Sequence, residues 1–191
     1  IGYARADQGQ KEEAQDMMAF LVHKDLALAY TLSRYIYTVD PPNFTVAYSM
    51  EGFGPQPPKT PVSSLHAYLA DPDASKRFTM TIAFDKEMDR ASVENRANWQ
   101  ISRASGAGPG EAYNFGLPLP STEVHIPSMP DNIYYDSESW TATVMFTVRQ
   151  NPTADGTIDP SHVEFKFKGK DAYGLTMDTA GDQYSSFSGI A

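Results

Sequence analysis

The sequence predicts a mainly β fold, an antiparallel β-sandwich preceded by an α-helical segment. Three observations predict it. Beyond Ser64, apolar residues recur with a period of two in several short runs. Turn-forming residues separate those runs. From Gln10 to Tyr37 there is no proline or glycine, and the apolar period is three and four.

The helical segment comes first. Ala14, Met18, Leu21, Val22, Leu28, Ala29, Leu32, Tyr35 and Ile36 form a wide apolar stripe, with Lys11, Glu12, Gln15 and Arg34 falling between them. Asp25 sits on the apolar side, where it marks a kink or a break into two helices. Such a helix must bury its face. The chain's own β domain is the usual cover. An assembly face for other protein subunits is the sharper reading, with Leu21, Leu28 and Leu32 as its interaction residues.

A proline-rich stretch follows, from Pro41-Pro42 to Pro57-Pro58 and Pro61. Proline pairs stop helices and favour extended backbone. Between them, Phe44, Val46, Tyr48 and Met50 alternate with smaller residues as a short strand does. The expected division is therefore 1–62, helical segment and proline-rich connection, and 63–191, a β-sandwich able to fold without it.

Within that second part, three runs alternate strictly: Phe78 to Phe84, Trp140 to Val148, and Val163 to Phe167. Val124 with Ile126, and Trp99 with Ile101, are shorter candidates. Strict alternation implies one buried face and one wet face, hence antiparallel sheet. The separators are Ser105–Gly110, Asp136–Ser139, Ala154-Asp155-Gly156 and Lys168-Gly169. Sheets of this kind cover one another's apolar faces in a sandwich.

Composition removes several functions. The chain of 191 residues has 41% hydrophobic and 20% charged residues, which is ordinary globular composition. Its net charge of −9 argues against nucleic acid and against an anionic membrane surface. Residues 1–62 contribute −2 and residues 63–191 contribute −7. With no cysteine, disulfides, thiol nucleophiles and thiolate metal sites are excluded. No apolar run has the length of a membrane span, so no membrane insertion is expected of this segment. No signal-peptide pattern is present, and the chain opens on Ile1, as a processed product or an excised piece does.

Three stretches, taken in order, resemble a known family. The first runs from Phe78 to Phe84, then Asp85-Lys86-Glu87-Met88-Asp89 and Arg90 to Val93, and on to Asn98-Trp99-Gln100-Ile101. The second is Ile133 to Asp136 leading into 140–148, and the third is Val163 to Lys168 followed by Asp171-Ala172-Tyr173-Gly174-Leu175. Together, residues 76–184 resemble the SbsA-type bacterial immunoglobulin-like domains of S-layer and other cell-surface proteins. Each motif has a physical role. Asp89 can cap a helical turn, and the Asp-x-x-Gly turn uses aspartate as an acceptor and glycine for positive φ. Two features depart from the pattern: Leu175 stands where the family has asparagine, and the insert from Ser105 to Pro130 exceeds a simple loop. The resemblance implies an immunoglobulin-like sandwich at an extracellular or cell-surface location.

The search for chemistry finds little. His23, His66, His125 and His162 show no metal-ligand spacing and read as ordinary polar residues. There is no nucleophile elbow, phosphate loop or dinucleotide fingerprint, and Gly106, Gly108 and Gly110 surround Pro109 with no helix after them. No catalytic residue is expected. Carboxylates are the group in surplus: Asp155 and Asp159 flank one turn, and Asp171, Asp178 and Asp182 cluster near the C-terminal turns. Calcium is the ion such oxygens suit. The EF-hand signature is absent, however, and turn aspartates normally bond their own backbone, so no metal or cofactor is expected. Tyr113, Phe115, Tyr134 and Tyr135 lie near loops, where exposed rings can stack on sugars, whereas Trp99 and Trp140 read as core.

The function expected from the sequence is a non-catalytic structural or adhesion module of a bacterial cell-surface or appendage protein, acting through protein–protein contacts. A carbohydrate-binding module of a secreted protein is the alternative. An accessory domain of an enzyme comes third.

Overall fold

The computed structural model describes residues 1–50, 52–107 and 110–190. Gly108 and Pro109 of the glycine run lie outside the described residues. The chain divides into two compact units, Ile1–Pro41 with Tyr173–Leu175, and Pro42–Ala172 with Thr176–Ala191. The division falls between the prolines of the first pair, not at the 62/63 boundary expected from composition. The reason is that the proline-rich stretch supplies core residues to the sheets.

The first unit holds three helices, α1 (Gly2–Asp7), α2 (Lys11–Val22) and α3 (Leu26–Val39). The continuous helix expected over 10–37 breaks at Asp25, which is the N-cap of α3 and accepts the Leu28 N–H at 3.0 Å. Ala6, Ala14, Leu32 and Ile36 form a small core, edged by Tyr3, Met17, Met18, Leu21, Tyr35 and Val39. A Cβ at Gly2 would lie 2.5 Å from Leu32 Cδ2, so any larger residue there would force the Leu32 side chain to shift. Lys11 Nζ and Asp40 Oδ2, 2.6 Å apart, tie the start of α2 to the end of α3.

The second unit opens with β1 (Phe44–Tyr48) and β2 (Thr60–Pro61), then the short helix α4 (Val62–Leu65). There follow β3 (Ser75–Phe84), the helical turn α5 (Arg90–Val93), β4 (Trp99–Arg103), β5 (Asn132–Asp136) and β6 (Thr141–Arg149). The last strands are β7 (Thr157–Ile158), β8 (Val163–Phe167), β9 (Gln183–Ser185) and β10 (Gly189–Ile190). They form two four-stranded antiparallel sheets, ordered β1-β3-β6-β5 and β10-β9-β8-β4, and a two-stranded pair, β2-β7.

The period-two residues face inward as expected. Phe78, Met80, Ile82 and Phe84 of β3 and Ala142, Val144, Phe146 and Val148 of β6 are buried, as are Trp99, Ile101, Val163, Phe165 and Phe167 of the other sheet. Phe146 meets Phe165 with ring centroids 5.2 Å apart, and Phe84 meets Phe167 at 5.6 Å, so the inner faces of the two sheets share one core. Phe44, Phe53 and Val62 belong to the same core, which is why the proline-rich stretch is part of this unit.

Four local expectations change. Val124 and Ile126 are buried without forming a strand. Trp140 sits in the β5–β6 turn with φ of 55°, half out of the core rather than in it. Tyr113 and Tyr135 are buried rather than presented at loops. In β1 the register shifts between Phe44 and Val46, a bulge that splits the expected alternation. Phe44 pairs with Phe84 and points inward, whereas Val46 and Tyr48 pair with Ala83 and Thr81 on the outer face.

Candidate functional site

The two motif stretches that bracket the resemblance meet in space. Asp89 N donates to Lys170 O and Ala172 N to Glu87 O, both at 3.1 Å, around a Met88–Asp171 bridge. At their centre Lys86 Nζ lies 2.7 Å from Asp171 Oδ2, with the two side chains 3% and 0% exposed. Asp89 caps α5 by accepting the Ser92 N–H at 2.6 Å, and Gly174 has φ of 88°, both as the sequence requires. Asp171, a calcium candidate, thus faces a lysine ammonium.

The other carboxylate candidates do not converge either. Asp155 is exposed and accepts the Thr153 hydroxyl. Asp178 accepts the Ala180 N–H at 3.0 Å, closing its own turn. Asp182 is buried with Oδ1 3.1 Å from Lys166 Nζ. Among the described residues no three His, Asp or Glu side chains are placed to hold a metal ion.

Asp159 belongs to a buried polar cluster that fastens the insert. Its Oδ2 accepts the Asn114 N–H at 2.8 Å and lies 2.7 Å from His162 Nδ1, close in distance without hydrogen-bond alignment. His162 Nε2 is 2.8 Å from Gly110 O, and the ring lies against Phe115 and Phe187. Tyr113 donates its hydroxyl hydrogen to Glu123 and accepts the Asp159 N–H at 2.8 Å. Asn114 and Phe115, with φ of 51° and 55°, take left-handed backbone that non-glycine residues adopt rarely. The Asn114 side chain holds it there by donating to Pro118 O at 2.9 Å. Nothing in the local sequence pattern marks this turn apart from the asparagine itself. The remaining histidines are ordinary: His23 and His125 are exposed, and His66 Nδ1 accepts the Tyr68 N–H at 3.2 Å.

The cluster carries a pH signature. Burial raises the Glu123 carboxyl above its ordinary value, and hydrogen bonds from Tyr113 and Arg103 only partly offset this. Burial, and then the bond to Glu123, raise the Tyr113 hydroxyl. A carboxyl raised on folding contributes stability that is present below its unfolded value and lost as pH rises through the folded one. Glu123→Gln is therefore expected to gain urea midpoint relative to the parent as pH rises from the ordinary glutamate range toward neutrality. A constant difference between the two proteins across that range would contradict it.

The interaction residues divide. Leu32 is 1% exposed and closes the helical core, and Leu21 is half-buried at its edge, so these two are packing residues. Leu28 is exposed, as is Val22 of the same stripe, and they have company that the stripe did not include: Phe20, Leu26 and Tyr30. Met18, Val22, Leu26, Ala29, Tyr30 and Ser33 line a shallow apolar cavity of about 230 Å³ between α2 and α3. Of the four aromatic candidates, Phe115 and Tyr134 are exposed, on different elements. Among the described residues no helix is long and apolar enough to cross a membrane.

No family model and no curated protein matches the chain. Two solved structures are similar to it. One is the N-terminal part of the bacterial S-layer protein SbsC, at 12% identity and a TM-score of 0.48, covering 96% of this chain and 35% of that one. The other comprises domains 1–6 of the surface layer protein SbsC, at 13% identity and a TM-score of 0.41, covering 96% and 22%. The chain thus spans about a third of the length of the first and about a fifth of the second.

Proposed function

We propose that the chain is a non-catalytic structural module of a bacterial cell-surface or appendage protein, an immunoglobulin-like sandwich that joins other protein subunits through its helices. One observation carries this reading. On a helical unit whose buried side chains are Ala6, Ala14, Ala29, Leu32 and Ile36, Phe20, Val22, Leu26, Leu28 and Tyr30 are 59%, 46%, 70%, 42% and 64% exposed. Each such side chain left in water forgoes roughly 1.5–3 kcal/mol of burial. A core that small gives little independent stability, and a partner covering the exposed face supplies what is missing.

The second unit supports the non-catalytic part of the proposal. Lys86, Asp171, Asp159, His162 and Asp182 are buried ionisable side chains of this unit, and each lies close to a protein partner from another part of the fold or of its own turn. The cell-surface part rests on the three motif stretches, two of which are in direct contact at Met88 and Asp171.

The experiment replaces Leu26→Gln, Leu28→Gln and Tyr30→Ser together and measures mass in solution by light scattering. The parent is expected to associate, and the variant to be a monomer with unchanged helical circular dichroism. Leu32→Asp is the control, since it strikes the helical core and should reduce helicity. A monomeric parent would contradict the proposal.

A further inference from the structure

We infer that the outer face of the β1-β3-β6-β5 sheet is a binding platform for a neutral polysaccharide, with Tyr48 and Tyr134 as its stacking rings. The register places four residues in one row across the sheet: Tyr48 opposite Thr81, Thr81 opposite Thr143, and Thr143 opposite Tyr134. Alternation fixes their side. Ile82, Ala142, Val144, Ile133 and Tyr135 point into the core, so Tyr48, Thr81, Thr143 and Tyr134 point out. The β1 bulge is what delivers Tyr48 to this face, because without it Tyr48 would share the inward side of Phe44.

The chemistry of the face selects the ligand. Its two edge strands each contribute an exposed tyrosine, 47% and 56% exposed. With neighbouring strands about 4.8 Å apart, three spacings set the two backbones roughly 14 Å apart. Between and beside them lie Thr79, Thr81, Thr141 and Thr143, hydroxyl side chains that both donate and accept. The Thr81 and Thr143 hydroxyls have no side-chain hydrogen bond among the described residues. In a chain of net charge −9, the charged side chains of this face lie toward its ends, Arg77, Asp131 and Arg149 (paired with Asp73) on one side and Asp136 on the other. An uncharged platform of hydroxyls between two aromatic rings is complementary to a chain of uncharged sugars. Pyranose C–H groups lie on the electron-rich ring faces, and sugar hydroxyls exchange hydrogen bonds with the threonines. An ionic polymer finds no counter-charge at its centre.

The test uses the full chain with insoluble cellulose, insoluble chitin, and soluble dextran and mannan in affinity gels, with heparin as the charged comparison. Retention by at least one of the neutral polymers is expected. Tyr48→Ala and Tyr134→Ala should each weaken it about tenfold, the scale on which one stacking ring acts, and together should abolish it. Tyr68→Ala, which removes an exposed ring outside this row, should leave retention unchanged, and circular dichroism should show all variants folded. Absence of retention on every neutral polymer, preference for heparin, or retention indifferent to the double variant would each overturn the inference. So would a tyrosine double variant that loses self-association instead, since the face would then be a protein interface. None of these outcomes bears on the helical contact, which involves different residues.

Discussion

A fragment comprising residues 63–191 is expected to show no cooperative thermal transition, whereas 42–191 is expected to melt as one unit. The shorter fragment keeps every strand of the strict period-two pattern, yet it lacks β1 and β2 and three buried side chains, Phe44, Phe53 and Val62. Phe53 packs on Phe78 and Phe146, with ring centroids 5.5 and 4.9 Å away, and Phe44 packs on Phe84 and Trp99. Burying one such residue is worth about 1.5–3 kcal/mol, so the loss of three is comparable to a whole domain's stability of about 5–15 kcal/mol. Removing β1 also leaves the outer edge of β3 unpaired, an exposed template for aggregation. Circular dichroism melts of the two fragments decide the matter. A cooperative transition for 63–191 would show that the proline-rich stretch only decorates the core.

The second large effect is at the buried ion pair. Lys86→Met or Asp171→Leu alone is expected to lower stability by about 3–5 kcal/mol, because either change removes the opposite charge that offsets the desolvation of the buried one. The double substitution should recover most of that loss, since a matched apolar pair of similar volume is often as stable as a buried salt bridge. Urea denaturation of the two single variants and the double gives the coupling directly. Additive losses would mean that the ammonium and carboxylate are satisfied by other neighbours and that their 2.7 Å approach is incidental.

The sequence displays what is periodic and local, and the structure bears out those features. The strands at 78–84 and 163–167 follow from alternation, because a half-buried strand must alternate. The cap at Asp89 and the break at Asp25 follow from side chains that reach only two or three residues along the chain, although that Asp25 is itself the cap of the next helix appears only in the structure. Pairing between distant segments leaves no such trace. Lys86 and Asp171 each sit in a recognisable turn, but nothing in either turn names the other. The β1 bulge is equally invisible, since Phe44, Val46, Tyr48 and Met50 alternate perfectly on paper and one added residue in the ladder moves Tyr48 to the opposite face. Trp140 looked like the first residue of a strand because apolar residues follow it at every second position; its positive φ places it in the turn instead. For the helices, a wide stripe gave no means of telling the side that closes on Leu32 from the side that leaves Leu28 exposed. That division needed the third helix, Gly2–Asp7, whose six residues are too few to show a period.

The central claim is that the helical unit mediates association and the sheet unit does not. Sedimentation equilibrium of the full chain beside 42–191 measures this most directly. The account predicts a mass of more than one copy for the full chain and of a single copy for the fragment. A single-copy mass for both, or the same multiple for both, would contradict it.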